Sequence, residues 1–126
     1  MVTGASSGLG AIFAEQLAQW GLSLVLTGRD QARLSAVAQR VGQIAPKVDV
    51  ELVVGDLSTD SGVDAVMACM NGRVIDVLVN NAGFGTYGLF SELDTGREHE
   101  LLAVNVAALM RLTHAVLPGM LGAAAF

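Results

Sequence analysis

Three glycines near the start of the chain have the spacing of a phosphate-binding turn. Gly4, Gly8 and Gly10 lie in the run Met-Val-Thr-Gly-Ala-Ser-Ser-Gly-Leu-Gly, which leads into a predicted helix. Gly4 permits a tight turn, Gly8 removes a side chain where the backbone must approach a pyrophosphate, and Gly10 lets the helix pack closely. The free N–H groups of that helix would face the anion. The pattern predicts a nucleotide-binding turn, with a purely structural turn as the alternative.

This spacing, Thr-Gly-x-x-x-Gly-x-Gly, differs from the two common phosphate-binding motifs. It is not Gly-x-Gly-x-x-Gly, and no Gly-Lys-Ser/Thr follows as in a Walker loop, since Lys47 is the only lysine in the chain. Ser6 and Ser7 would add hydroxyl donors. The predicted contacts of this turn are Gly4, Ser6, Ser7, Gly8, Leu9 and Gly10.

A second candidate, Arg29, follows the second predicted strand. In dinucleotide-binding folds an acidic residue about 20 positions past the turn accepts the ribose hydroxyls of NAD, whereas an arginine there accommodates the phosphate of NADP. Gly28 takes the acidic position and Arg29 comes next. The predicted cofactor is therefore NADP rather than NAD, and an exposed arginine at the start of a helix is the alternative.

Two further motifs complete a recognisable pattern. The third predicted strand runs into Gly-Asp-Leu-Ser at positions 55–58, and the fourth runs into Asn-Asn-Ala-Gly at positions 80–83. Together with the glycine turn, these motifs resemble the short-chain dehydrogenase/reductase family, in its single-domain branch. The resemblance implies an oxidoreductase that transfers hydride between the nicotinamide of NADP and a carbonyl or alcohol substrate.

The resemblance also implies roles for residues that follow the third and fourth strands. Asp56 would accept a hydrogen bond from the adenine amino group, unless it is only a turn cap. The residues after Val79 would bring their backbone close to the nicotinamide ribose, and the amide of Asn80 would tie the central strands together. The implied cofactor contacts are Asp56, Leu57, Asn81, Ala82 and Gly83.

Asn105 is the one candidate catalytic residue. It lies in the sequence Ala-Val-Asn-Val, within a predicted helix that is apolar on nearly all sides and is therefore expected to be buried. A buried asparagine needs hydrogen-bond partners. In the family that the chain resembles, the matching asparagine belongs to a tetrad of Asn, Ser, Tyr and Lys and holds a water in the proton relay. A side chain that binds only backbone is the alternative.

The other three members of the tetrad are not found. The family pattern Tyr-x-x-x-Lys is absent, because Tyr87 is the only tyrosine, and no serine follows Ser91. We therefore expect a fragment that is incomplete at both ends and inactive alone. Phe84, Thr86 and Tyr87 are expected to border the substrate pocket. The alternatives are an NADP-binding module without catalysis and a non-functional gene fragment.

The elements that must position these residues follow a strand–helix alternation, typical of a parallel sheet with crossover helices. The predicted strands are residues 1–3, 22–27, 50–54 and 74–80, and the predicted helices are residues 9–20, 31–41, 61–70 and 95–117. Asp30 and Asp94 are expected to cap helices, and Gly21 and Gly42 to end them. The expected fold is one α/β domain over residues 1–126, a truncated Rossmann-type doubly wound sheet in the order 3-2-1-4.

Composition excludes other classes of function. A formal charge of −5 is unsuited to nucleic acid, and no apolar run free of charged and polar residues is long enough to predict a membrane span. His99 and His114 lack the spacing of metal ligands. Cys69, Phe13 and Trp20 are expected in the core. A cytoplasmic location, a small-molecule substrate and homo-oligomers of the complete protein are the remaining expectations.

Overall fold

The computed structural model describes residues 1–123. Its strands are β1 (Val2–Thr3), β2 (Leu24–Gly28) and β3 (Val50–Val54). Its helices are α1 (Gly8–Gln19), α2 (Gln31–Ile44), α3 (Asp60–Ala68), α4 (Thr95–Leu102) and α5 (Leu109–Ala123). A 3-10 turn at Phe90–Glu92 precedes α4, and a π-helical segment at Ala103–Ala108 joins α4 to α5.

The sheet is parallel, with β2 between β1 and β3. Val2 pairs with Leu26 and Leu24 pairs with Val50. The predicted fourth strand is reduced to one parallel bridge between Val79 and Val2, on the free side of β1. The 3-2-1-4 arrangement therefore holds, although β1 is only two residues long and offers too short a ladder for a fourth strand of full length. The α/β class is confirmed.

Helices cover both faces of the sheet, as in a doubly wound fold. Since successive side chains of a strand point to opposite faces, Leu24 and Leu26 join one core and Val25 joins the other. The first core contains buried residues of α1 and α2, including Leu34 and Val41. The second core contains residues of α3 and α5. β2 is thus buried on both sides, which explains its continuous apolar run.

Most of the predicted helix ends are observed. The Asp30 carboxylate accepts the N–H of Arg33 at 3.0 Å, and the Asp94 carboxylate accepts the N–H of Arg97 at 2.8 Å. Gly21 follows α1 with a φ of +80°, which glycine adopts most easily. The expectation that Gly42 ends α2 is wrong, because the helix continues to Ile44.

Two aromatic residues that were expected in the core are exposed. Phe13 is 40% exposed and Trp20 is 75% exposed. The buried stripe of α1 consists instead of small and aliphatic side chains, Ala11, Ala14, Leu17 and Ala18. Phe13 lies beside that stripe, and Trp20 is the C-cap residue of the helix. Cys69 is half-buried and not fully buried as expected.

The helical run from Thr95 to Ala123 is much less buried than expected. Its apolar residues include Leu102, which is 58% exposed, and Leu121, which is 69% exposed. Within the described part of the chain, this run is the one helix whose length and mean hydropathy, 29 residues and 1.5, would suffice to cross a membrane. Helices at the core of water-soluble proteins meet the same criterion, so the finding is weak evidence for a membrane location.

Candidate functional site

A cleft of about 350 Å³ lies at the carboxyl ends of the strands. This is the edge at which open parallel sheets bind ligands, and the volume falls within the usual range of small-molecule sites. The residues around the cleft come from the glycine turn, from the ends of β2 and β3, from the segment after Val79, and from α4 and the π-helical segment. They are Gly4, Ser6, Ser7, Leu9, Gly28, Arg29, Gly55, Asp56, Leu57, Ser58, Asn81, Ala82, Gly83, Phe84, Arg97, Glu100 and Val104.

The glycine turn is tightly packed at its two ends. Gly4 has a φ of +61°, and a Cβ there would lie 2.8 Å from the Cα of Ala82. A Cβ on Gly10 would overlap the carbonyl oxygen of Gly4. By contrast, Gly8 has a φ of +55° and open space around it. Gly4 and Gly10 are therefore required by packing, and Gly8 by its backbone conformation.

The first turn of α1 has no side-chain cap. Ser7 occupies the N-cap position with extended backbone, but its hydroxyl makes no capping hydrogen bond. Side chains of Asp30, Thr59 and Asp94 cap α2, α3 and α4. The N–H groups at the start of α1 are thus left for a ligand, and the helix dipole makes an anion the favoured one.

A buried threonine joins the glycine turn to the segment after Val79. The hydroxyl oxygen of Thr3 accepts the backbone N–H groups of Asn81 and Ala82, each at 3.0 Å. The Asn81 amide donates to the carbonyl oxygens of Thr3 and Gly4, at 3.0 and 3.1 Å. Asn81 therefore performs the strand-tying role that the sequence assigned to Asn80.

Asn80 instead joins this segment to α5. Its amide donates to the hydroxyl of Thr113 at 2.9 Å. The amide nitrogen of Asn81 is used by Thr3 and Gly4, and its backbone N–H is used by the Thr3 hydroxyl, so its amide oxygen and its backbone carbonyl are the groups left for a ligand in the cleft.

Arg29 and Asp56 lie at the far end of the cleft, after β2 and β3. One oxygen of the Asp56 carboxylate accepts the N–H and the O–H of Ser58, at 2.9 and 2.7 Å. These hydrogen bonds, and to a lesser degree the charge of Arg29, lower the pKa of Asp56. Asp56 is therefore an ionised acceptor at neutral pH. Arg29 is exposed and forms no ion pair with the described residues.

Asn105 lies in the π-helical segment, directly behind the cleft. Its amide oxygen accepts the N–H of Phe84 at 3.0 Å, and its amide nitrogen donates to the carbonyl of Phe84 at 2.8 Å. A Cβ on Gly83 would lie 3.0 Å from that amide oxygen. Single π-turns within helices are frequent at functional sites. Here the segment holds Asn105 against the backbone that follows the Asn-Asn-Ala-Gly motif.

A charged pair that was not predicted from the sequence borders the cleft beside Phe84. The guanidinium carbon of Arg97 lies 3.7 Å from the ring centroid of Phe84. Arg97 Nη1 also lies 2.7 Å from Glu100 Oε2. Residues three apart on a helix are neighbours, so the ion pair is a local feature, but nothing local indicates that it borders the cleft.

A larger cavity, about 500 Å³, lies at the opposite edge of the sheet, near the starts of β2 and β3. Its charged residues are Asp49, Glu51, Arg73 and Asp76, and Arg73 pairs with Glu51 at 2.7 Å. We assign the functional site to the smaller cleft, because the glycine turn, the uncapped helix and the motif residues all lie there. Ligands of open parallel sheets bind at that edge.

The cleft collects almost all of the predicted cofactor contacts. Of those residues, Gly8 and Gly10 do not line it, and they shape the turn instead. Phe84 borders the cleft, whereas Thr86 is outside it and Tyr87 is fully exposed. Within residues 1–123, no group of three or more potential metal-ligating side chains is found.

Comparison with known proteins identifies the family. The family model described as short chain dehydrogenase matches residues 1–125. An uncharacterized oxidoreductase of Staphylococcus saprophyticus is 38% identical over 123 residues, which are 96% of this chain and 52% of that protein. The chain therefore belongs to the short-chain dehydrogenase family.

Solved structures of complexes with NADPH are also similar. A short-chain dehydrogenase from Sphingobium yanoikuyae in complex with NADPH is 37% identical with a TM-score of 0.91, and the match covers 97% of this chain and 48% of that one. L-sorbose reductase from Gluconobacter frateurii, complexed with NADPH and L-sorbose, is 35% identical with a TM-score of 0.86, covering 94% and 46%. The chain thus spans about half the length of these relatives.

Proposed function

We propose that this chain is the dinucleotide-binding part of an NADP-dependent short-chain dehydrogenase/reductase. The observation that carries the proposal is the uncapped start of α1, which shares one cleft with Arg29 and Asp56. The N–H groups of α1 would complement a diphosphate, the guanidinium of Arg29 a second phosphate, and the carboxylate of Asp56 a hydrogen-bond donor. The NADPH complexes of the two similar structures support the same cofactor.

The residues of the cleft fit the parts of NADP in turn. The N–H groups of α1 would bind the diphosphate, with Ser6 and Ser7 as additional donors. Arg29 would bind the phosphate on the adenosine ribose, and Asp56 would accept the adenine amino group through the carboxylate oxygen that Ser58 does not use. The backbone of residues 81–83 would lie along the nicotinamide ribose.

When bound, the nicotinamide would donate a hydride to a carbonyl carbon of a small-molecule substrate, or accept one from an alcohol carbon. Asn105 would hold the backbone of Phe84 in place beside it, through the two hydrogen bonds described above. We propose that the 126 residues alone do not turn over, because they contain no Tyr-x-x-x-Lys to move the proton. We also propose a cytoplasmic location. The formal charge of −5 supports the further proposal that the protein has no nucleic-acid partner.

An NADP-binding module without catalysis is the second candidate. It is favoured by Tyr87, the only tyrosine, which is fully exposed and lies outside the cleft. Retained NADPH affinity without any dehydrogenase activity in the full gene product would support this candidate.

Calorimetric titration with NADPH and NADH at fixed ionic strength tests the cofactor assignment. Arg29 would make charge-assisted hydrogen bonds worth about 1.5–3 kcal/mol, so Arg29→Ala should weaken NADPH binding by about tenfold to a hundredfold and leave NADH binding nearly unchanged. The double change Gly28→Asp with Arg29→Ala should reverse the preference, because a carboxylate accepts ribose hydroxyls and repels a phosphate.

Two controls keep this test interpretable. Arg33→Ala removes a neighbouring arginine that does not line the cleft and should change neither affinity. A Cβ on Gly28 would lie 3.3 Å from Ser6 Oγ, so the single variant is measured beside the double one. Equal affinity of the unmodified protein for NADH and NADPH would refute the assignment.

A further inference from the structure

The positive charge available for a diphosphate is scarce in the glycine turn. Its residues between Gly4 and Gly10 are Ala5, Ser6, Ser7, Gly8 and Leu9, which are all neutral. Among the described residues that line the cleft, the cations are Arg29 and Arg97, and the anions are Asp56 and Glu100. If Arg29 binds the ribose phosphate, as the proposed function requires, Arg97 is the remaining cation for the diphosphate.

Arg97 is held in an orientation that leaves part of its guanidinium accessible. The guanidinium lies over the ring of Phe84, with 3.7 Å between its central carbon and the ring centroid. Nη1 is paired with Glu100, and both side chains are about half exposed, at 45% and 48%. Among the hydrogen bonds of the described residues, Nε and Nη2 of Arg97 take no part, so this edge can donate to a second acceptor.

The backbone of Phe84, whose ring contacts this arginine, is held by two hydrogen bonds. Its N–H and its carbonyl are both bonded to the Asn105 side chain, at 3.0 and 2.8 Å. The chain of contacts therefore runs from the π-helical segment through the backbone of Phe84 to its ring and then to the guanidinium. An arginine that is stacked and paired in advance loses less side-chain freedom on binding an anion.

We propose that Arg97 binds the diphosphate of the dinucleotide and supplies from α4 the positive charge that the glycine turn lacks. The inference rests on the proposed function and assigns a further residue to the same site. The carboxylate of Glu100 does not prevent this binding, because an exposed ion pair stabilises the free state only weakly. A dianionic diphosphate, bound in the same cleft by N–H groups of α1, is the stronger partner.

The test compares Arg97→Met with Arg40→Met by calorimetry, using NADPH, NADH and 2′-AMP as probes. Methionine keeps apolar atoms over the ring of Phe84 and removes the charge. Arg40 is the matched control, because it pairs with Glu15 at 2.9 Å on the surface and does not line the cleft. Thermal unfolding of each variant, followed by circular dichroism, verifies that it is folded.

We expect Arg97→Met to weaken NADPH and NADH binding by the same factor, about tenfold, since both cofactors contain the diphosphate. Binding of 2′-AMP, which has no diphosphate, should be unchanged, and Arg40→Met should change nothing by more than about twofold. Unchanged affinity of Arg97→Met for both dinucleotides would overturn the inference. A loss for NADPH and 2′-AMP but not for NADH would also overturn it, since Arg97 would then bind the ribose phosphate. Failure of the unmodified protein to bind either dinucleotide would instead refute the proposed function itself.

Discussion

Two helical regions on opposite faces of the sheet, α2 and the run from Thr95 to Ala123, bury their apolar residues to different extents. On one face α2 buries Leu34, Val37 and Val41 completely or nearly so. On the other face α5 buries Leu112 and Val116, while other apolar residues of the same helical run remain in contact with solvent. The less buried run nevertheless lines part of the cleft, through Arg97, Glu100 and Val104. A helix can therefore contribute to a binding site while much of its apolar surface stays in contact with solvent.

The largest expected effect tests the difference in burial between these two helical regions. Leu34→Ala removes a fully buried side chain from the α1–α2 face and should lower the free energy of unfolding by about 2–5 kcal/mol. Leu102→Ala, the same substitution at a position that is 58% exposed, should cost less than about 0.5 kcal/mol. Urea denaturation measures both. Similar losses for the two variants would show that the two helical regions do not differ in burial as described.

An intermediate effect is expected on self-association. The exposed apolar residues of the helical run form a surface, defined by Leu102, Val106, Leu109, Met110, Leu117 and Leu121. Apolar surfaces of this kind promote association, so sedimentation velocity should show oligomers that grow with protein concentration. Met110→Glu with Leu121→Glu should shift the protein toward monomer. Trp20→Glu is the control and should not change association, because Trp20 is also exposed, at 75%, but lies at the end of α1 and outside this surface. A monomeric unmodified protein at all concentrations would contradict this prediction.

The smallest effect concerns the acidic end of the cleft. Because hydrogen bonds from Ser58 lower the pKa of Asp56, this carboxylate contributes stability that is fully present above the ordinary value of 3.8 and is lost as the pH falls through the lowered folded pKa. Ser58→Ala removes the hydroxyl donor and should move the pKa upward, toward that ordinary value. NMR titration of the Asp56 carboxyl carbon measures the shift, with Asp56→Asn identifying the signal. An unchanged pKa would mean that the backbone N–H of Ser58 suffices.

Features that depend on neighbours along the chain could be predicted from the sequence. The caps at Asp30 and Asp94 follow from local hydrogen-bonding rules, and the strand at residues 50–54 follows from a short apolar run. The glycine turn was recognisable because its backbone conformation and close packing require glycine at fixed spacing.

Features that depend on tertiary packing could not be predicted from the sequence. Phe13 and Trp20 are apolar, yet both are exposed, because α1 packs through its small and aliphatic residues instead. The exchange of roles between Asn80 and Asn81 depends on which side of the segment faces Thr3, and two adjacent identical residues give no local indication of that. Arg97 borders the cleft only because α4 brings it back over Phe84.

In its two hydrogen bonds to Phe84, the side chain of Asn105 takes the place of a backbone peptide group. A carboxamide presents one acceptor and one donor side by side, which is what a neighbouring strand would offer to Phe84. Aspartate at this position would set a negative oxygen against the carbonyl of Phe84, and alanine would leave both backbone groups without their partner. The π-helical segment thus presents to Phe84, from a helix, the donor and the acceptor that the edge of a sheet would otherwise provide.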